Sequence, residues 1–334
     1  MANSQRSLWA KLAHFAVTVA LLLATVWATA ALYIDVTPVW LRLPLAVAYG
    51  VAMAVAIFRA SRWVGRSVCL AGFALVLLWW FSLQPSNTRQ WQPDVAEVAW
   101  AEINGDRVTV HNVRYCDYRT ETDYTPRWET RTYDLSQMRG IDLFITYWGS
   151  PFIAHPILSF HFGDDTHLAF SIETRREVGE EYSAMLGFFR QYELTFIAAD
   201  ERDVIRLRTN YRKGEEVYLY HTTVQPQQGR AIVLNYLTSA NHLRNQPEWY
   251  NALTKNCTTD IRVQTRGTVP GGPMPWDYRI LVSGLGDQMA YEWGILAGGL
   301  PFEELKRRAH INAVAHEASE SDFSRVIREG RPGF

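Results

Sequence analysis

The segment HPILSFHFGDDTHLAFSIETR, residues 155–175, predicts a β-hairpin that turns at its GDD sequence. Successive side chains of a strand point to opposite faces, so alternate residues of each arm share one face. If His161 pairs with His167, then His155 lies directly opposite Glu173. A register shifted by two residues leaves these two as diagonal neighbours, still within side-chain reach. The hairpin therefore predicts a His–Glu pair on one face of an antiparallel sheet.

A second segment, NCTT at residues 256–259, places a cysteine just before a predicted short helix at residues 258–265. Backbone N–H groups and the dipole at a helix start favour a thiolate. Cysteine together with histidine is typical of nucleophilic acyl chemistry. We expect Cys257 to be the nucleophile, His155 the base and later the acid, and Glu173 the group that orients the histidine. The alternative is an inert, buried cysteine with unrelated surface histidines.

Three further residues are predicted to bind substrate: Asn256, Thr258 and Arg175. The asparagine would cap the helix or donate its side-chain amide, and the N–H groups at the helix start would hold an oxyanion. Two histidines are alternatives for the roles above. His167 is an alternative orienting group, and His221, on another strand, is an alternative base.

Two other interpretations of these residues remain open. Histidines on one sheet face can converge on a transition metal, and the hairpin offers four ligands: His155, His161, His167 and Glu173. No tight metal-binding spacing is present, and we expect no cofactor. A disulfide between Cys116 and Cys257 would form only in an oxidising compartment, and it would disable the thiol.

Three apolar runs without charges lie at about residues 13–34, 43–58 and 68–83. A membrane-spanning helix needs roughly 17–25 residues, and each run is near that length. Core helices would explain the second run alone, but three in succession indicate membrane insertion. Residues 1–85 are therefore predicted to be an anchor of three transmembrane helices.

Basic residues flank these runs asymmetrically: Arg6, Lys11, Arg59, Arg62 and Arg66. The positive-inside rule then places the N-terminus and the loop between the second and third helices in the cytoplasm. Everything after residue 85 lies on the other side, which predicts a multi-pass protein of the bacterial inner membrane with a periplasmic C-terminal domain. The sequence ATA at residues 28–30 resembles a signal-peptidase site, and cleavage there would leave this topology unchanged.

The exported residues are predicted to divide into three parts. Residues 86–93 form a linker, residues 94–270 an α+β domain of antiparallel sheet plus helices, and residues 271–334 a helical extension packed on it. Other local expectations are helical spacing at 180–192, a Pro/Gly-rich break at 267–275, and two helices at 276–296 and 302–328.

Charge patterning restricts the partners. The net charge is −1 with no long basic or acidic block, which argues against nucleic acid. A charged cluster at residues 201–212 either binds phosphate headgroups or forms an internal salt-bridge network.

Four motifs resemble those of the Lnb N-terminal periplasmic domain family: WGSPFIAH at 148–155, SIETR at 171–175, DERDVIRLRT at 200–209 and YNALTKNCTT at 250–259. The resemblance spans roughly residues 96–265. It implies a permuted papain-like thiol domain, because the histidine strand precedes the cysteine helix. The family takes its name from a lipoprotein N-acyltransferase, which implies passage of an acyl group from phospholipid through Cys257 to an acceptor.

We therefore expect a periplasmic, cysteine-dependent acyltransferase or hydrolase that acts on lipid-linked or amide substrates through a thioester. Its expected partner is membrane phospholipid or a lipoprotein. A cell-wall peptidase or amidase with the same dyad is the alternative enzyme; it predicts a polar open groove, whereas lipid chemistry predicts an apolar one. A non-catalytic envelope binding module predicts a Cys257 that is buried, or paired with Cys116, and distant from His155.

Overall fold

The computed structural model describes residues 2–163, 165–268 and 276–334, with side chains from residue 8 onward. The chain divides into two compact units. The first comprises Met1–Pro85 and Ser183–Gln191, and the second comprises Ser86–Tyr182 and Tyr192–Phe334. Asp164 of the predicted hairpin turn and most of the predicted Pro/Gly-rich break, residues 269–275, lie outside the described residues.

The first unit is built from three helices: α1 (Ala2–Asp35), α2 (Val39–Arg59) and α3 (Arg62–Ser82). By length and composition, all three of these described helices can cross a membrane, the first of them over Leu8–Asp35. The three apolar runs thus form the helices that the sequence predicts.

The segment Ser183–Gln191 belongs to this first unit, although it lies within the chain of the second. Phe189 packs in an apolar cluster with residues of α1 and α3. The helix predicted at residues 180–192 is wrong, because among its described residues helical structure is confined to the 3₁₀ turn Leu186–Phe188. A buried Gly187 and the packing of Phe189 interrupt the helical pattern there.

The second unit is an α+β domain around a twisted sheet. Its described strands are β1 (Trp100–Asn104), β2 (Arg107–Arg114), β3 (Asp117–Tyr118), β4 (Tyr124–Thr125), β5 (Trp128–Asp134), β6 (Met138–Trp148), β7 (Ser150–Phe162), β8 (Thr166–Arg175), β9 (Glu193–Ala199) and β10 (Glu215–His221). The sheet order is β1-β2-β9-β8-β7-β6-β10, with β5 also paired to β2, while β3 and β4 form a separate ladder. Neighbours are antiparallel except β2 and β9.

The hairpin of β7 and β8 has the register that its sequence predicts. His161 pairs with His167, and Ile157 pairs with Ser171. Continuing this register places His155 opposite Glu173, on the face of the sheet that those two side chains share. The hairpin therefore positions the predicted His–Glu pair by strand pairing alone.

The described helices of the second unit are mostly short: α4 (Glu201–Val204), α5 (Pro226–Asn245), α6 (Cys257–Gln264), α7 (Gly286–Glu292), α8 (Phe302–Ala309), α9 (Asn312–Glu317) and α10 (Phe323–Val326). A π-helical turn at Leu207–Tyr211 and 3₁₀ turns at Tyr278–Ile280 and Ser283–Leu285 complete the set that shapes the site.

The two helical segments predicted at residues 276–296 and 302–328 are present, but each is divided into short helices and turns. In the second segment, His310 forms a β-bridge with Tyr218, and the N–H of Ile311 donates to the carbonyl of Val217 at 3.0 Å. The edge strand β10 thus supplies hydrogen-bond partners that a continuous helix would have supplied itself.

Residues 86–93, the predicted linker, make hydrogen bonds and a cation–ring contact with the domain. The side-chain amide of Asn87 donates to the carbonyls of Leu243 and Arg244 at 2.9 Å. Trp91 is buried, and the guanidinium of Arg175 lies over its ring at 4.3 Å. The compact domain accordingly begins at residue 86.

The charged cluster at residues 201–212 forms internal ion pairs. Asp203 pairs with buried Arg114 at 2.7 Å. Glu201 pairs with Arg328 at 2.5 Å, and the same arginine reaches Asp142 at 2.7 Å. These contacts favour the salt-bridge interpretation of the cluster over phosphate binding.

Candidate active site

The sheet face formed by β7 and β8 carries a chain of three polar side chains. His155 is 7% exposed, and its Nε2 lies 2.7 Å from the hydroxyl of Ser171. The Ser171 hydroxyl donates to Oε1 of Glu173 at 2.7 Å, and His155 Nε2 itself lies 3.2 Å from that oxygen. Strand pairing therefore delivers an imidazole, a hydroxyl and a carboxylate in mutual contact.

These hydrogen bonds fix the tautomer of His155. The Ser171 hydroxyl has one hydrogen, and it donates that hydrogen to Glu173. It must therefore accept from His155, which places a proton on Nε2. When the ring is neutral, Nδ1 then carries the lone pair and is the nitrogen that can take a proton from a thiol.

The cysteine stands at the first position of α6, directly after the cap residue Asn256. Its thiol is partly exposed. A hydrogen bond between the side chains of Cys257 and His155 contributes to the protonation equilibrium of the histidine. The structure thus brings together the three residues that the sequence singles out for catalysis.

Electrostatics favours a protonated histidine at this place. Burial lowers the pKa of His155, but the Glu173 carboxylate and the contact with Cys257 outweigh burial and raise it to about 9. Burial likewise raises the pKa of Glu173, while His155, Arg208 and Ser171 together hold it well below its usual range.

Arg208 is a site residue that sequence reasoning missed. Its guanidinium donates to Glu173 at 3.0 Å and to Glu215 at 3.1 Å, and the residue is buried. It lies on the π-helical turn Leu207–Tyr211, a backbone form that is rare and frequent at functional sites. The carboxylate that orients the histidine is itself held in place by a buried cation.

The predicted substrate-binding residues have different surroundings. The Oδ1 of Asn256 accepts from the N–H groups of Thr258 and Thr259 at 3.0 and 2.9 Å, and its amide donates to the Ala252 carbonyl. The cap thus occupies two of the helix-start N–H groups that were expected to hold an oxyanion. Arg175 is engaged elsewhere, with the carbonyls of Val95 and Ala96.

Another donor near the sulfur comes from a tyrosine. Tyr250 is buried, and its hydroxyl hydrogen bonds with that of Tyr182. Burial and then the nearby charge of Cys257 raise the pKa of Tyr250 well above its usual range, so its hydroxyl keeps its proton. A protonated phenol near the nucleophile can stabilise developing negative charge if its hydrogen turns from Tyr182 to the substrate oxygen.

The alternative histidines are engaged away from this group. The rings of His161 and His167 stack with centroids 4.5 Å apart. The Nδ1 of His221 lies 2.7 Å from Asp142. Over the described residues, no group of three or more His, Cys, Asp or Glu is arranged to hold a metal ion. The three cysteines, all described, have free thiols, and burial raises the pKa of Cys116 to about 12.

An apolar cavity of about 100 Å³ lies beside the dyad. Pro156, which follows His155, and Thr258, which follows Cys257, both line it. The rest of the wall is almost entirely apolar and comes from β6, β7, α5, α6 and the segment 283–295, with Ile261 and Met289 among its members. A lipid chain, not a polar peptide, is complementary to such a wall.

Changing Glu173 to Gln tests the coupling of this carboxylate to His155. Folding raises the pKa of His155 from 6.5 to about 9, so the stability that the pair contributes is fully present below pH 6.5 and is lost as the pH rises through about 9. We expect the difference in melting temperature between wild type and Glu173→Gln to shrink across that range. A difference independent of pH would contradict the pairing.

Comparison with known proteins gives one family. Residues 124–284 match the family model described as the Lnb N-terminal periplasmic domain, a range that includes His155, Glu173 and Cys257. No curated protein and no solved structure matches the chain significantly. Together with the three apolar helices, the match makes this an envelope-associated membrane protein with a periplasmic C-terminal domain. This match, over residues 124–284, is to the same family that the four sequence motifs resemble.

Proposed function

We propose that this chain is a multi-pass protein of the bacterial inner membrane whose periplasmic domain is a thiol acyltransferase or hydrolase. Cys257 takes an acyl group from membrane phospholipid as a thioester, and an amine, such as that of a lipoprotein, or water then accepts it. The order of a histidine strand before a cysteine helix is that of permuted papain-like enzymes. The main support is the apolar cavity that begins at Pro156 and Thr258, the residues next to the dyad.

The apolar lining of the cavity supports the lipid interpretation of the enzyme over the peptidase interpretation. Its lining is almost wholly apolar, whereas a peptidase of the cell wall needs a polar open groove. A non-catalytic module would have a buried or disulfide-paired Cys257 far from His155. Instead the thiol is partly exposed and unpaired, and it interacts with that histidine.

The proposed reaction has two steps with one proton carrier. The Cys257 sulfur attacks the ester carbonyl, the bond from that carbonyl to the lipid oxygen breaks, and His155 gives its proton to the departing lysophospholipid. An amine or water then attacks the thioester, and His155 takes the proton of the attacking group. The Tyr250 hydroxyl stabilises the negative oxygen in both steps.

Vesicles of phosphatidylethanolamine whose acyl chain carries a terminal alkyne test this function. We expect the reconstituted full-length protein to acquire a label that hydroxylamine removes, as it does a thioester, and Cys257→Ala to acquire none. Lack of label on a wild type whose Cys257 still reacts with iodoacetamide would contradict the proposal. Cleavage of peptidoglycan fragments by wild type but not by Cys257→Ala would favour the peptidase instead.

The cavity predicts a chain-length effect of Ile261→Trp. Ile261 lines the cavity from α6, and an indole there excludes several methylenes of a long chain. Each buried methylene contributes about 0.8 kcal/mol, so loss of four slows acylation by a 16-carbon donor about 200-fold relative to a four-carbon donor. The ratio of the two rates is the measurement.

Val263→Trp is the matched control on the same helix. Val263 is 55% exposed, so the added ring enters solvent and leaves the ratio unchanged. Equal slowing of both donors by Ile261→Trp would mean that the cavity does not hold the acyl chain.

A further inference from the structure

Five apolar side chains of the periplasmic domain are exposed on two chain segments, residues 152–153 and 276–281: Phe152, Ile153, Trp276, Tyr278 and Leu281. Each has 45–66% of its surface accessible. Exposed apolar side chains are ordinary when scattered singly, but a contiguous group marks an interaction surface. We call these five residues the apolar rim.

The two chain segments of the apolar rim are packed against each other. The N–H of Ala154 donates to the Ser283 hydroxyl at 3.0 Å. A Cβ added to Gly284 would lie 2.2 Å from the Pro151 carbonyl oxygen and 2.6 Å from the Cα of Phe152, so the backbones touch there. The start of β7 therefore contacts the turn Ser283–Leu285, which follows the second rim segment two residues after Leu281.

The turn that joins the two rim segments also lines the cavity. Ser283, which accepts a hydrogen bond from the strand of the first segment, lines the cavity together with Pro156 and Gly286. The apolar rim therefore lies a few residues along the chain from the wall of the cavity beside His155 and Cys257.

Charge on the rim is neutralised locally. Asp277 and Arg279 alternate with its aromatic residues and pair with each other at 2.7 Å, and Arg279 also reaches Glu292 at 2.5 Å. Paired charges cost less to move toward a low-dielectric region than isolated ones. Trp and Tyr combine an apolar ring with a polar edge, which is the composition of membrane-interface belts.

We propose that the apolar rim binds the surface of a phospholipid bilayer, with its side chains seated among headgroups and upper acyl chains. The occupant is lipid because the same chain carries three helices that can cross a membrane, and this tether keeps the domain at a high effective concentration beside the bilayer. Apolar side chains at a membrane interface are buried about 5–10 Å deep among headgroups and upper acyl chains. The lengths of the Trp and Tyr side chains of the rim are comparable with that depth. This binding does not depend on the chemistry at Cys257.

An environment-sensitive fluorophore at Leu281 tests the proposal. Leu281→Cys is labelled with a nitrobenzoxadiazole in full-length protein that also carries Cys257→Ala, because the remaining Cys69 and Cys116 are buried. The protein is reconstituted in vesicles of phosphatidylethanolamine and phosphatidylglycerol, with or without nitroxide-labelled acyl chains. We expect blue-shifted emission and loss of most fluorescence when the nitroxide lipids are present.

Ile103→Cys, on β1, is the control with a 38% exposed side chain outside the rim. Its label should emit as in water and keep its fluorescence in nitroxide lipids. Equal, water-like behaviour of the labels at 281 and 103 would overturn the proposal. Since the labelled protein lacks the thiol, failure of the acyl chemistry and failure of lipid docking are separate outcomes.

Discussion

Replacing His155 with alanine is expected to slow labelling of Cys257 by a lipid-like thiol-reactive probe about 10²–10⁴-fold. The imidazole takes the thiol proton through Nδ1 while its Nε2–H is held by Ser171. With a methyl group in its place, the thiol loses the base with which it interacts. The measurement is the rate of covalent labelling of the full-length protein in membranes, read by intact mass.

Two controls make this result specific. Cys116→Ala should label as fast as wild type, because burial raises the pKa of the Cys116 thiol to about 12 and keeps it unreactive. His221→Ala removes a histidine that bonds Asp142 outside the site and should also leave the rate unchanged. Slow labelling in wild type and all variants would make Cys257 a structural residue.

Changing Arg208 to Met is expected to cost about 3–5 kcal/mol of unfolding free energy, the usual loss when one partner of a buried ion pair is removed. The guanidinium bonds both Glu173 and Glu215, and methionine of similar length would leave the two carboxylates without this cation. The measurement is the shift of the chemical or thermal unfolding transition in detergent.

Arg212→Met is the matched control, since Arg212 also bonds Glu215 at 3.2 Å but is partly exposed. An exposed pair contributes only about 0–1 kcal/mol. Arg208→Met should also raise the pKa of His155 further, because the Arg208 charge lowers that pKa in the wild type. Similar losses for the two variants would mean that Arg208 is an ordinary surface arginine.

The sequence predicts those parts of the site that depend on local geometry. His155 and Glu173 follow from hairpin register, and Ser171 lies on the same face two residues from Glu173, so alternation alone would have identified it. Cys257 follows from its place at a helix start. Arg208 does not, because it lies 35 residues from Glu173 and a π-helical turn determines its direction.

The fold likewise has features that the local sequence predicts and features that it does not. Apolar runs specify the three long helices by composition, which is independent of the rest of the chain. The break between the C-terminal helices could not be predicted, because residues 310–311 bond to the edge of β10, a partner that no local pattern reveals. The cavity could not be predicted from the sequence either, because its wall combines apolar residues from five separate stretches.

The hairpin that joins His155 to Glu173 also bears on the order in which the site is built. Two adjacent strands with a short turn lose little loop-closure entropy when they pair, so this half of the site can assemble early in folding. Cys257 lies about 80 residues further along the chain, at the start of α6, and this helix packs against β7 and β8. The base and its orienting carboxylate can therefore be paired before the sulfur reaches them, so that docking of one helix start completes the site.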